Sequence, residues 1–163
     1  MNVANPHDTM TPEESAQAIR RHITDGVALA RKSGLPEQMI SIISQHHGDG
    51  MVTYFYRMAQ MQGPVEDESV FQYPSIKPQT KEAGVLMLAD VVEATIRANN
   101  SIRMDLSTIH EQIQKLVMEI YNSGQLDECP LTRRDMTHII DAFVRVLQGA
   151  NHERIAYPED PKK

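Results

Sequence analysis

Cysteine occurs once in these 163 residues, at Cys129, so neither an intramolecular disulfide nor a four-cysteine zinc site is available. No histidine lies near it in sequence, and an inert, partly buried thiol is expected. Net charge is −6, and no stretch concentrates lysine and arginine. A basic face supplies most of the affinity for DNA or RNA, so the balance argues against a nucleic-acid scaffold. An anionic small molecule would have to be held by local cations or by a metal. Long apolar runs are missing as well. The longest, Val85 to Val92, is too short to span a bilayer and is interrupted by Asp90. The opening residues carry no secretory-signal pattern. Strand alternation, internal repeats and low-complexity blocks are also lacking, which leaves a soluble, all-α domain as the expectation.

Helical spacing is what the chain does have. Residues 1–10 are polar and without apolar periodicity, so an extended arm or loop is expected, with Pro6-His7-Asp8 making a turn. Thr11-Pro12-Glu13-Glu14 is a capping box with proline at the first helical position, and Gly34 is the stop. A second helix is predicted from Pro36 to His47, and a third from Val52 to Gln62. Gly63 to Gln79, with three prolines and the acidic run Glu66-Asp67-Glu68, reads as a loop. The helix opening at Thr80 is apolar on nearly every side and should be the central, buried one. Two amphipathic helices follow: one restarting at Ser107-Thr108 and ending near Gly124, the other running from Thr132 to Gly149. The body of the domain is therefore 11–149, with 150–163 an extended tail.

Against this frame, His46-His47 stands out. Two adjacent histidines closing a helix before Gly48 are poor core material, and imidazole is the commonest metal ligand among side chains. They read either as part of a metal site or as a solvated helix end. Neighbouring helical side chains diverge by about 100°, so the pair converges on one ion only if the helix frays toward Gly48. His22 lies at the edge of the first helix's apolar stripe, where a hydrogen-bonded boundary role is the commoner one. Asp90 sits mid-helix with no basic residue one turn earlier, so it must face a water-filled cleft or bind a metal. Lys77, Lys81 and Arg97 could meet a phosphate, although solvation is the default for each. Tyr54, Phe55 and Tyr56 read as core and boundary packing rather than as a wall for a base. His110 and His138 read as solvated.

Taken together, His22-Ile23-Thr24-Asp25-Gly26, Gln45-His46-His47-Gly48, Tyr73-Pro74-Ser75-Ile76-Lys77-Pro78 and Leu88-Ala89-Asp90 resemble the HD superfamily of metal-dependent phosphohydrolases. More narrowly, they resemble the cytoplasmic domain of the seven-transmembrane, PgpH-type proteins that hydrolyse cyclic di-AMP. The resemblance runs from Asn5 to Glu159 and departs at one point. In that family an earlier histidine, and a His-Asp pair followed by Ile-Gly-Lys, come before the matching region; His7-Asp8 corresponds to a later loop motif. The chain therefore resembles the C-terminal two-thirds of such a domain, an HD-type helical bundle without its first helices. The family site holds two divalent ions, commonly iron or manganese. The resemblance assigns His22, His46 and His47 to one ion and Asp90 to the other, with Lys77, Lys81 and Arg97 weaker candidates for phosphate. It implies a cyclic-dinucleotide phosphodiesterase that acts through a metal-activated water and sits on the cytoplasmic side of a membrane-anchored parent. This chain alone is expected to bind at most one ion and to have little activity. The alternative is a non-catalytic helical module for binding or self-assembly.

Overall fold

A computed structural model describes residues 6–98 and 106–152. Thr11 caps the first helix, α1 (Pro12–Lys32): its hydroxyl accepts from Glu14 N at 3.2 Å, and the Glu14 carboxylate accepts from Thr11 N at 2.9 Å. Gly34, with φ +68°, ends it in a Schellman turn, in which Leu35 N donates to Ala30 O and Gly34 N to Arg31 O. Next come α2 (Glu37–Gln45) and α3 (Thr53–Gln62), then a 3-10 turn at Glu68–Phe71 within the expected loop. The helix α4 (Lys81–Ala98) is followed by α5 (Leu106–Asn122) and α6 (Arg133–His152). Among the described residues there is no strand, only one antiparallel bridge between Met51 and Gln72.

Apolar burial is divided between two clusters. Ala16, Val52, Phe55, Ala59 and Phe71 form one, joining α1, α3 and the 3-10 turn. The other, larger one is built by α4, α5 and α6, with Leu88, Ile113 and Val117 at its centre. The helix α4 packs on α2 on one side and on α5 on the other, so it is the seam between the halves. Gly84 allows the turn after α5 to close on it, because a Cβ there would lie 2.7 Å from Cys129 Sγ. Cys129 is free and buried, as expected, and burial pushes its thiol pKa up.

Several expectations are corrected. The turn expected at Pro6-His7-Asp8 is present as a 3-10 turn over Pro6–Thr9, so this part of the arm is not extended, and His7 packs on Phe55 with ring centroids 5.2 Å apart. The second helix stops at Gln45, two residues early. The fifth begins at Leu106, so Thr108 lies inside its first turn rather than ahead of it. The sixth continues through Gly149 to His152; a glycine weakens a helix by about 1 kcal/mol but does not by itself end one. The remainder of the expected tail, from 153 on, lies outside the described residues. The central helix is less enclosed than predicted, with Leu86 42% exposed. No helix among the described residues is long and apolar enough to cross a membrane.

Candidate metal centre

The centre forms where α1 passes the end of α2. His22 and Gly26 lie one turn apart on the face of α1 that meets α2, and a Cβ at Gly26 would touch Ile43 at 3.4 Å. The absence of a side chain there lets the helices approach closely and brings His22 over the α2 terminus. The α2 helix ends at Gln45, and His46 and His47 occupy the turn that follows. Gly48, at φ +58°, makes that turn possible. This resolves the divergence of adjacent helical side chains: outside the helix the two imidazoles fold together, with centroids 4.2 Å apart. One ligand atom from each of His22, His46 and His47 lies within 4.8 Å of the others.

The hydrogen bonds define the tautomers. His22 Nδ1 is 2.5 Å from Ile19 O, and His46 Nδ1 is 2.7 Å from Ile43 O. A carbonyl oxygen can only accept, so each Nδ1 carries a proton and donates it. In the neutral rings the Nε2 atoms are then lone-pair acceptors, and they face each other at 3.2 Å. Two acceptors repel at that distance unless a cation stands between them. Two imidazole nitrogens bound to one ion at ~2.0–2.1 Å lie roughly 2.9–3.4 Å apart for cis ligand angles, so the spacing fits a shared ion. A backbone carbonyl on the far ring nitrogen is also the usual support for a metal-bound histidine.

His47 is half-buried, its side chain 19% exposed. Burial, then the neighbouring His46 and His22, push its pKa down to about 4, against an opposing pull from Asp90. It is therefore neutral and able to donate a lone pair at neutral pH. Tyr73 stacks on it at 4.4 Å with the rings 8° from parallel. Burial, then Asp90, push the Tyr73 phenol up to about 12. Sequence reasoning missed this tyrosine, because its loop showed no periodicity; the signal lay in the polar density of the loop's second half. Asp90 is adjacent but outside the trio: its Oδ2 lies 3.9 Å from His47 Nδ1, too long for a hydrogen bond, and its side chain is 43% exposed. The central-helix carboxylate is thus partly open to solvent.

The three cations sit apart from one another in role. Lys81 is taken up by Asp135, at 2.8 Å, across the starts of α4 and α6. Arg97 pairs with Glu93 at 3.5 Å on an exposed face of α4. Lys77 is half-buried in the loop that carries Tyr73. Of the aromatic triplet, Phe55 is core, Tyr56 packs on Phe71, and Tyr54 is 69% exposed. His138 is exposed as expected, whereas His110 is half-buried on α5.

The HD domain family matches residues 3–95. The chain is 36% identical over 163 residues to "Cyclic-di-AMP phosphodiesterase PgpH" of Bacillus subtilis, and 36% identical over 156 residues to the protein of that name from Listeria monocytogenes. It covers 100% and 96% of itself in these matches but only 23% and 21% of the relatives, so it spans about a fifth of their length. The crystal structure of the L. monocytogenes PgpH HD domain in complex with cyclic-di-AMP superposes with a TM-score of 0.84 at 33% identity, covering 92% of this chain and 69% of that one. The all-helical architecture, the histidine trio and these matches lead to one statement: the chain belongs to the HD domain family.

Proposed function

We propose that this chain is the metal-holding part of a phosphodiesterase that hydrolyses a cyclic dinucleotide, cyclic di-AMP, within a membrane-anchored parent whose HD domain lies on the cytoplasmic side. One divalent ion, iron or manganese, is held by His22, His46 and His47, and Asp90 serves a second ion beside it. The observation that carries this reading is the pair of Nε2 lone pairs opposed at 3.2 Å, each ring having spent its other nitrogen on a main-chain carbonyl. The names of the relatives, and the cyclic-di-AMP bound to the Listeria domain, support the substrate class. When bound, such ions act as Lewis acids and make a water nucleophilic near neutral pH. The chain's own side chains do the rest. His47 stays neutral, Tyr73 closes one face of it, and Lys77 and Arg97 supply positive charge for phosphate. Lys81, committed to Asp135, contributes less.

Isothermal titration with Mn(II), Fe(II) or Co(II) tests this. The chain takes up one ion tightly, and His46→Ala and His47→Ala abolish uptake. Turnover of cyclic di-AMP by the isolated chain is slight, with cyclic di-GMP as the comparison. Native affinity in both alanine variants, or vigorous hydrolysis by the pure chain with one ion bound, rejects the assignment.

Exposed Leu29, Leu35 and Met39 at the α1–α2 end favour a second reading, self-association through that face. Sedimentation that shows a monomer at every concentration removes it.

A further inference from the structure

The histidine pair lies at and just past the cap of α2, where the regular ladder of helix bonds stops. The residues on either side of the pair are instead both fastened to one distant turn, between α5 and α6. After the pair, Gln125 Nε2 donates to Asp49 Oδ1 at 2.7 Å. The other end of that amide, Oε1, is buried without a hydrogen-bond partner among the described residues and lies against Gly48, where an added Cβ would overlap it. Before the pair, Gln45 Oε1 accepts from Gln79 N at 3.0 Å, and Gln79 Nε2 in turn donates to Glu128 Oε2 at 2.5 Å. The turn itself is anchored on α4, where Cys129 Sγ donates to Thr80 O at 3.1 Å.

We infer that Gln125 is a positioning residue for His46 and His47: through Asp49 it fixes the turn that folds the two imidazoles together. The metal side of this inference rests on the proposed function. Gln125 touches neither histidine; it acts by restricting the backbone between Gly48 and Gly50. Outer partners of metal ligands typically change affinity by about 10–100-fold when removed.

The experiment is a cycle of Gln125→Ala, Asp49→Ala and the double variant, with Co(II) affinity measured by calorimetry. If the two act as one latch, each single change weakens Co(II) binding about 10–100-fold and the double change is no worse than either. Asp49→Asn keeps an acceptor for the Gln125 amide and retains near-native affinity. Leu126→Ala, in the core beside Gln125, lowers stability without changing Co(II) affinity. In the metal-free protein, the His46 and His47 ring resonances shift in Gln125→Ala and Asp49→Ala but not in Leu126→Ala. Native Co(II) affinity in Gln125→Ala, additive losses in the double variant, or an equal loss in Leu126→Ala overturns the inference. Should the native chain bind no Co(II), the metal reading fails and the ring resonances alone decide. Should Gln125→Ala fail to fold, the contrast between Asp49→Ala and Asp49→Asn decides.

Discussion

Gly48 and Gly34 have similar backbone angles, φ +58° and +68°, but different surroundings. Nothing lies within 4 Å of a Cβ at Gly34, whereas one at Gly48 would overlap Gln125 Oε1 and approach Met87 Cε at 3.1 Å. Gly34→Ala therefore costs only the left-handed strain, about 1 kcal/mol, and leaves Co(II) affinity unchanged. Gly48→Ala costs more and also weakens Co(II) binding, because the methyl displaces the Gln125 amide; urea midpoints and calorimetry on both variants check the contrast. His47 sets a pH dependence in the chelated protein. Its pKa is about 4 in the folded chain against an ordinary 6.5 for histidine, so between these limits the unfolded chain binds the extra proton. Stability is complete above about pH 6.5 and declines as pH falls toward 4, by at most about 3 kcal/mol. His47→Asn, which cannot titrate, flattens that part of a plot of urea midpoint against pH.

At the level of helices, end chemistry dominates. The reciprocal Thr11–Glu14 cap should make Thr11→Ala cost about 1 kcal/mol, read as a lower denaturation midpoint. Asp135 caps α6 through Thr132 N at 2.8 Å and also holds Lys81, and the Lys81 ammonium with the Thr132 donors keeps its carboxyl well below the usual range. Lys81→Met therefore lowers the thermal midpoint while leaving Co(II) binding and cyclic di-AMP affinity unchanged; a selective loss of nucleotide affinity would return Lys81 to the phosphate site. These ends were also the most readable part of the sequence. Thr11, Gly34, the 63–79 loop and Thr132 announced themselves because caps and turns are made by neighbours in the chain. The continuation of α6 past Gly149 was not readable, since a lone glycine only weakens a helix. The site was half legible. Residue types and spacing singled out His46, His47 and Asp90, and the family resemblance added His22, but the convergence of the pair depends on Gln125, 76 positions beyond Asp49. The stack of Tyr73 on His47 likewise comes from the loop's folding back, with Tyr73 N donating to Gly50 O at 2.8 Å.

Across the whole molecule, the trio lies where α1 meets the end of α2, the helix that packs on α4. An ion bound there engages both α1 and the turn after α2, so it should stabilise the fold globally. At a free Co(II) concentration of 100 times Kd the gain is about 2.7 kcal/mol. A thermal scan with and without Co(II) reads it, and in His46→Ala the shift disappears. The Tyr73 ring carries a further consequence. Lying flat on His47, it covers one face of that ring, while His22 is exposed to solvent. A centre covered at one ring and exposed at another is reached from solvent by way of the exposed one.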